Sequence, residues 1–293
     1  MYEYRKSIVI CADDYGLSTG VCDAIETLIE KGRLSATGAM TGMPAWRRRA
    51  EGLRALARAH PADIGLHFTL TGQRPLSPAR GLARDGRLPE IGALALRALA
   101  GVLPRPAIRD ELRAQLDAFE EEWDAPPDFL DGHQHAHALP GIRDIVIAEL
   151  SARYAGRLPW LRNCSEPAAR ARRRGIGFRK AIIVGTLGAG TAQAAAKAGI
   201  VSNDSFRGLY GFMPEPPYRE VFRAALAGPG ERILVHCHPG VVDEELRALD
   251  PLLEPREWEL AYLGSDACGE DMAAAGVQPA RFAETGERSV VRG

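Results

Sequence analysis

The chain has 293 residues, 46% of them hydrophobic and 26% charged, and its 37 basic and 38 acidic side chains give a formal net charge of -1. This is the composition of an ordinary globular protein, and the balance excludes a general nucleic-acid binder, which carries a basic surplus. The local clusters Arg47–Arg49 and Arg170–Arg174 then read as solvated faces.

Taken in chain order, the apolar run Ser7–Cys11 predicts a strand, and Ser18 is placed to cap a helix over Val21–Lys31 with Ile25, Leu28 and Ile29 inward. A strand at Ser35–Met40, a helix over residues 45–59 with Leu53, Leu56 and Ala57 inward, and a strand at Asp63–Phe68 complete βαβαβ order, which implies a parallel sheet with crossover helices. A Gly- and Pro-rich excursion over residues 71–106, holding a short helix at Ala93–Leu99, interrupts the alternation and is expected to be a lid, a lipid-facing groove or a disordered loop. Beyond it come a helix at Ile108–Trp123, a strand at Phe129–Gly132, a helix at Pro140–Arg153 with proline in its first turn, and a strand at Trp160–Asn163. Arg179–Lys197 reads equally as strand plus helix or as one Ala-rich helix. A strand at Ile200–Asn203, a helix at Tyr218–Ala227, a strand at Arg232–His236, a helix at Pro255–Leu263 and a strand at Ser289–Val291 close the pattern. With no linker in view, the expectation is one α/β domain spanning residues 1–293. Its fold is a single (β/α) barrel, distorted or lacking one strand, with a doubly wound open sheet as the alternative. "ADDYGLSTG" follows the first strand where the dinucleotide-binding form of that sheet would carry G-x-G-x-x-G.

Cys11, Cys22, Cys164, Cys237 and Cys268 are odd in number and lack CxxC spacing, which argues for a reducing compartment over a disulfide framework or a zinc ribbon. Neither a signal-peptide pattern nor a long apolar span is present, so the expected location is the cytoplasm, with peripheral contact to the inner membrane left open.

Polar residues collect at the carboxyl ends of the predicted strands, where α/β folds bind their ligands: Asp13 and Asp14, His67, the run "DGHQHAH" (Asp131–His137), and "HCHPG" (His236–Gly240). Adjacent carboxylates in a water-poor pocket need a cation or a raised pKa, and one carboxylate with two imidazoles is a common open shell for a divalent metal. Asp14, His67 and His133 can supply that shell, leaving Asp13 beside it to take a proton from water. In an extended chain His133, His135 and His137 would share one face, which makes His135 and His137 candidates for substrate contact. In a turn, only one or two of the three point inward.

In their order and spacing, "ADDYGLSTG", "IGLHFTL", "FLDGHQHAH" and "HCHPG" resemble the YdjC-type carbohydrate deacetylases, relatives of the chitooligosaccharide deacetylases. The resemblance implies a barrel-like fold, one divalent metal ion (magnesium or zinc, with manganese or cobalt as alternatives), and hydrolytic removal of acetyl from an N-acetylated sugar. It makes Asp14, His67 and His133 the metal ligands, Asp13 the general base and His238 the general acid, which implies a bell-shaped dependence on pH. It also makes Asn203, Asp204 and Phe206 of "VSNDSFRGLYGF" substrate contacts. That last segment looks most like the hopanoid-biosynthesis branch, whose implied substrate is an N-acetylglucosaminyl group on a polycyclic lipid. The expected partner is thus an N-acetylated sugar or glycolipid, with a homo-oligomer left open. Two rival readings are a metal-dependent hydrolase of a phosphoester or cyclic amide, and a non-catalytic sugar or lipid carrier.

Overall fold

The computed structural model describes the backbone of residues 2–285 and 288–292, and the side chains of residues 5–285. Among the described residues nine strands form one sheet: β1 Tyr2–Tyr15, β2 Ala36–Ala39, β3 Asp63–Phe68, β4 Phe129–Gly132, β5 Trp160–Leu161, β6 Ser205–Arg207, β7 Ile233–Cys237, β8 Val277–Pro279 and β9 Arg288–Arg292. The helices between them are α1 Thr19–Glu30, α2 Pro44–Ala59, α3 Ile91–Leu99, α4 Arg105–Trp123, α5 Ile142–Arg153, α6 Ala168–Arg174, α7 Phe178–Leu187, α8 Thr191–Lys197, α9 Tyr218–Leu226, α10 Glu244–Leu249, α11 Glu254–Leu263 and α12 Asp266–Ala274.

Seven of the strands are parallel and run in the order β5-β4-β3-β2-β1-β7-β6. This order is sequential around a circle, with β1 flanked by the second and the last strand of the set. A doubly wound sheet would reverse direction at a switch point instead. The edges β5 and β6 come together through the residues that precede β6: Leu161 N–H donates to Val201 O at 2.9 Å, Asn163 N–H to Asn203 Oδ1 at 2.8 Å, and Asn203 Nδ2 to Asn163 O at 2.8 Å. The result is a distorted seven-stranded (β/α) barrel with a side-chain seam. The predicted strand at Ile200–Asn203 is this seam, and the strand itself starts later, at Ser205. β1 overshoots its predicted length because its first half leaves the barrel to pair with β8 and with the antiparallel β9.

Strand residues alternate between two apolar compartments, as a period of two requires. Ile8, Ile10 and Ala12 of β1 pack outward with Ile64, Leu66, Leu130, Leu161 and Val235 against the helices. Val9 and Cys11 pack inward with Phe129, Trp160, Phe206 and Leu234, so the lumen is a filled core. Among the helices, α1 is capped by Ser18, whose Oγ accepts from Val21 N–H at 3.2 Å. Its Val21, Cys22, Ile25, Leu28 and Ile29 repeat at helical spacing and are buried. The ambiguous stretch before residue 197 is two helices, α7 and α8, broken at Gly188–Gly190. The excursion after β3 is ordered: the buried Glu111 of α4 accepts from Leu76 N–H and Ser77 N–H, and Gln73 Nε2 donates to Leu249 O. No helix among the described residues is long and apolar enough to cross a membrane.

Candidate active site

Strand parity assembles the site. Asp13 on β1, His67 on β3, Asp131 on β4, Arg162 after β5 and His236 on β7 all take lumen positions at the carboxyl ends of their strands, above the apolar fill to which Cys11 belongs. By the same parity Asp14 would point out toward the helices. Instead, the pairing of β1 with β2 shifts register between Ala12 and Tyr15, and Asp14 adopts φ 69°. Aspartate tolerates the left-handed region better than most residues, and a bulge re-aims the side chains it carries. Two adjacent carboxylates thereby enter one site.

Asp14 Oδ1 lies 3.0 Å from His133 Nδ1 and 3.2 Å from His67 Nε2. The Asp14, His67 and His133 donor atoms all fall within 4.8 Å of one another. The other Asp14 oxygen accepts from Arg256 Nη2 at 2.7 Å, and His67 Nδ1 sits 2.7 Å from Asp131 Oδ1, which turns Nε2 toward Asp14. Gly38 of β2 leaves room for that pair, since a Cβ there would come within 3.0 Å of Asp131 Oδ1 and 3.1 Å of the His67 ring.

Cys11, Asp13 and Asp131 also lie close enough to hold an ion, but a guanidinium already fills that place. Arg162, fully buried, donates to both Asp13 oxygens at 2.6 and 2.8 Å, and its Nη2 lies 2.5 Å from Asp131 Oδ2 and 3.1 Å from Cys11 Sγ. Asp13, Asp14 and Asp131, with Asp250 3.3 Å from Arg256 Nη2, therefore face two guanidinium groups, Arg162 and Arg256, and this excess of carboxylate favours a cation. Burial opposes a charge on His67, yet Asp131 and Asp13 raise its pKa to about 10. A proton and a metal ion thus compete for the space between His67 and Asp14. The donor set fits a divalent ion, and two ring nitrogens with one oxygen suit zinc better than magnesium.

Burial also works against charge on Asp13, but Arg162 outweighs it and holds the carboxyl far below the usual range. His238 Nε2 stands 3.8 Å from Asp13 Oδ2. Burial pushes the His238 imidazole well below its ordinary pKa despite Asp13 nearby, so a proton that it donates is one it must first receive. The His238 backbone N–H donates to Glu259 Oε2 at 2.5 Å, and Glu259 Oε1 accepts from Tyr210 at 2.8 Å.

Glu259 is completely buried, and that burial raises its pKa to about 7 even though the two donors and Arg256 pull the other way. Its folded pKa is therefore above its unfolded one. The folded state binds the extra proton between the ordinary carboxylate value and about 7, and stability falls as pH rises through that window. Glu259→Gln is expected to lessen this fall, read as the urea midpoint of variant and wild type at pH 5.5 and pH 8. Parallel declines would discard the assignment.

The three alternating histidines do not share a face. A 3-10 turn over His133–Ala138 replaces the extended chain, with Gln134 at φ 52° and His135 at φ 62°. His133 joins the Asp14 cluster, and His135 lines the cavity with its ring edge on Phe206 and His236. His137 is buried 2.9 Å from Arg162 O and does not line the cavity. Nor do the other expected substrate contacts. Asn203 is bound up in the barrel seam. Asp204 sits at the opposite, amino-terminal end of β6, where its carboxylate accepts from Glu231 N–H and Arg232 N–H. Phe206 is buried under the site, against His236 and the Arg162 guanidinium. Sequence reasoning missed Asp131, Arg162, Arg256 and Glu259. Asp131 stands inside a noted motif, while the two arginines and Glu259 have no local signature.

Above this floor opens a cavity of about 680 Å³. Its polar base is Asp13, Asp14, His67, His133, His236 and His238. Its walls carry Ile91 and Ala95 of α3, Ile183, Val184 and Leu187 of α7, and Phe212, Leu249 and Leu252, with the polar Gln73, Arg87, Glu90, Lys180 and Asp250 set among them. Lys180, Ile183, Val184 and Leu187 recur at helical spacing, so α7 turns one whole face to the cavity; no residue of that helix is fully buried.

The family model described as YdjC-like protein matches residues 7–274. A chitooligosaccharide deacetylase of Klebsiella pneumoniae is 31% identical over 90% of this chain and 92% of its own length. A carbohydrate deacetylase of Mus musculus is 35% identical, and there the match spans about half of each protein, 50% of this chain and 48% of the relative. In structure, an Enterococcus faecalis protein named for cellobiose-phosphate cleavage superposes with a TM-score of 0.71 at 21% identity, covering 96% of this chain and 98% of that one, a likeness of fold.

Proposed function

We propose that this chain, which belongs to the YdjC-like family, is a metal-dependent carbohydrate deacetylase that hydrolyses the acetamide of an N-acetylated sugar. One observation carries the reading: Asp14, His67 and His133, grouped closely enough to hold a metal ion, lie beside two further titratable groups, Asp13 and His238, at the base of one cavity. The curated relatives described above are named as deacetylases.

A divalent ion held by Asp14, His67 and His133 would supply Lewis acidity to the acetamide carbonyl and to water. Asp13, kept ionised by Arg162, orients the attacking water and accepts its proton. His238, across the same 3.8 Å gap, passes a proton to the sugar nitrogen as the C–N bond breaks. Glu259 and Tyr210 fix the backbone from which His238 projects. A binding protein would have no use for such a pair, which favours hydrolysis over the carrier reading.

The walls bear on the substrate. Gln73, Arg87, Glu90 and Lys180 can bond some sugar hydroxyls, but those set against the apolar side chains of α3 and α7 would be left without partners. A sugar carried on an apolar aglycone fits better, its acetamide on the polar floor and its apolar body between the two helices. This supports an N-acetylglucosaminyl lipid, with hopanoids as one such class, and a protein that works at a membrane surface. Free-amine release is to be followed from such a lipid in detergent and from N-acetylated chito-oligomers, with zinc, manganese, cobalt and magnesium in turn. Failure of both substrates with every metal would overturn the reading. His67→Ala is expected to lose the bound metal and with it turnover; an unchanged metal content by elemental analysis would remove His67 from the ligand set.

A further inference from the structure

We infer that the two segments walling the cavity form a docking surface for an anionic lipid bilayer. The inference rests on the reading of a membrane-borne substrate for its purpose, and on charge and exposed apolar surface for its evidence.

Residues 71–106 and 168–187 together carry twelve basic and two acidic side chains, a net of +10 in a chain whose total is -1, so all other residues together carry -11. Both stretches reach the cavity mouth: Arg87 from one and Lys180 from the other line it. Arg174 is neutralised by Glu166 and Arg170 lies 4.0 Å from Asp204, whereas Arg80, Arg172, Arg173 and Arg179 are exposed.

The same stretches expose large apolar side chains. On α3 the buried Leu94 and Ala98 face the core and Ile91 and Ala95 face the cavity, while Leu96 and Leu99, three residues apart, form a stripe on the outer side with Val102 just beyond. These three are 69%, 63% and 66% exposed. Leu99 is the helical neighbour of Ala95 at i+4, which places the stripe along the rim of the mouth. Ile183 of α7, 61% exposed, stands on the rim across from it. Apolar tips that dip below the headgroups, surrounded by arginines that hold anionic headgroups, are the arrangement of an interfacial anchor. Water alone would favour neither the tips nor the concentration of like charge. Seated this way, the mouth opens onto the bilayer, and a lipid's sugar can reach the floor while its apolar part stays out of water.

The test is co-sedimentation of the full chain with vesicles of phosphatidylcholine alone and of phosphatidylcholine mixed with phosphatidylglycerol. Binding is expected to the mixed vesicles only, and to fall as salt rises. Arg172→Glu/Arg173→Glu is expected to weaken it at least about 25-fold, at about fivefold for each charge removed. Leu96→Asp/Leu99→Asp is expected to weaken it by a similar factor. Both double variants should keep wild-type deacetylation of a substrate presented in detergent or free in solution. No binding to the mixed vesicles, equal binding to both kinds, or binding that neither double variant alters would each overturn the inference. Vesicle binding without turnover of any acetylated lipid would leave the surface standing and sink the substrate reading; turnover of the lipid in detergent without vesicle binding would do the reverse.

Discussion

Arg162→Met is expected to destabilise the protein by about 3–5 kcal/mol, the cost of breaking a buried ion pair from one side. Arg162 is buried at the centre of the lumen and meets Asp13 through both of its terminal nitrogens and Asp131 through one. Its loss leaves Asp13 without its two-nitrogen partner and Asp131 with His67 alone, and methionine, though of similar length, returns none of those contacts. Against a total stability of about 5–15 kcal/mol for a typical domain, this single change could consume half or more of it. The check is the urea midpoint of wild type and variant. Adding Asp13→Asn removes one of the stranded charges, so the double variant is expected to be more stable than Arg162→Met alone. Simple additivity of the two single effects would show that the pairing contributes nothing.

Asp13→Asn alone is expected to lower turnover by about 10²- to 10⁴-fold, the range for loss of a general base, while leaving metal content unchanged. Asn keeps the shape of the side chain and one acceptor for Arg162, but it takes no proton from water. Because Asp13 is not among the Asp14, His67 and His133 donors, elemental analysis separates the two roles of the aspartate pair. Near-normal acetate release from this variant would take Asp13 out of the mechanism, and a loss of metal would show that the adjacent carboxylates share one task.

The histidine and aspartate motifs made the floor of the site legible because each ends a short apolar strand, and parallel sheets gather such ends. What the sequence did not disclose depends on contacts between distant positions. Arg162 follows Trp160 and Leu161 and looks like any charged residue leaving a strand; its meaning lies in Asp13, 149 positions earlier. Arg256, within a short helix, serves Asp14 at a separation of 242. Alternation misled at His133–His137, because two successive residues with positive φ cancel the strand periodicity on which a shared face depends. At Asn203 the family resemblance implied a substrate contact, where the fold uses the amide to close its own edge. The helices α10 and α12 went unforeseen because they are short, 6 and 9 residues, and offer too few turns for a periodic stripe to show.

The order of strands has a consequence for how the site comes into being. β1 lies between β2 and β7, so Cys11 pairs on one side with Ala36 and on the other with His236. The first neighbour follows within one helical crossover, while the second is separated by most of the chain, and closing so large a loop is slow. During synthesis Asp13 and Asp14 would wait on a strand with one open edge until β7 is made. Such an edge invites pairing with other chains. Fragments that stop short of β7 would hold Asp14, His67 and His133, the proposed metal ligands, yet lack His236, His238 and Glu259, and are expected to aggregate before they can act.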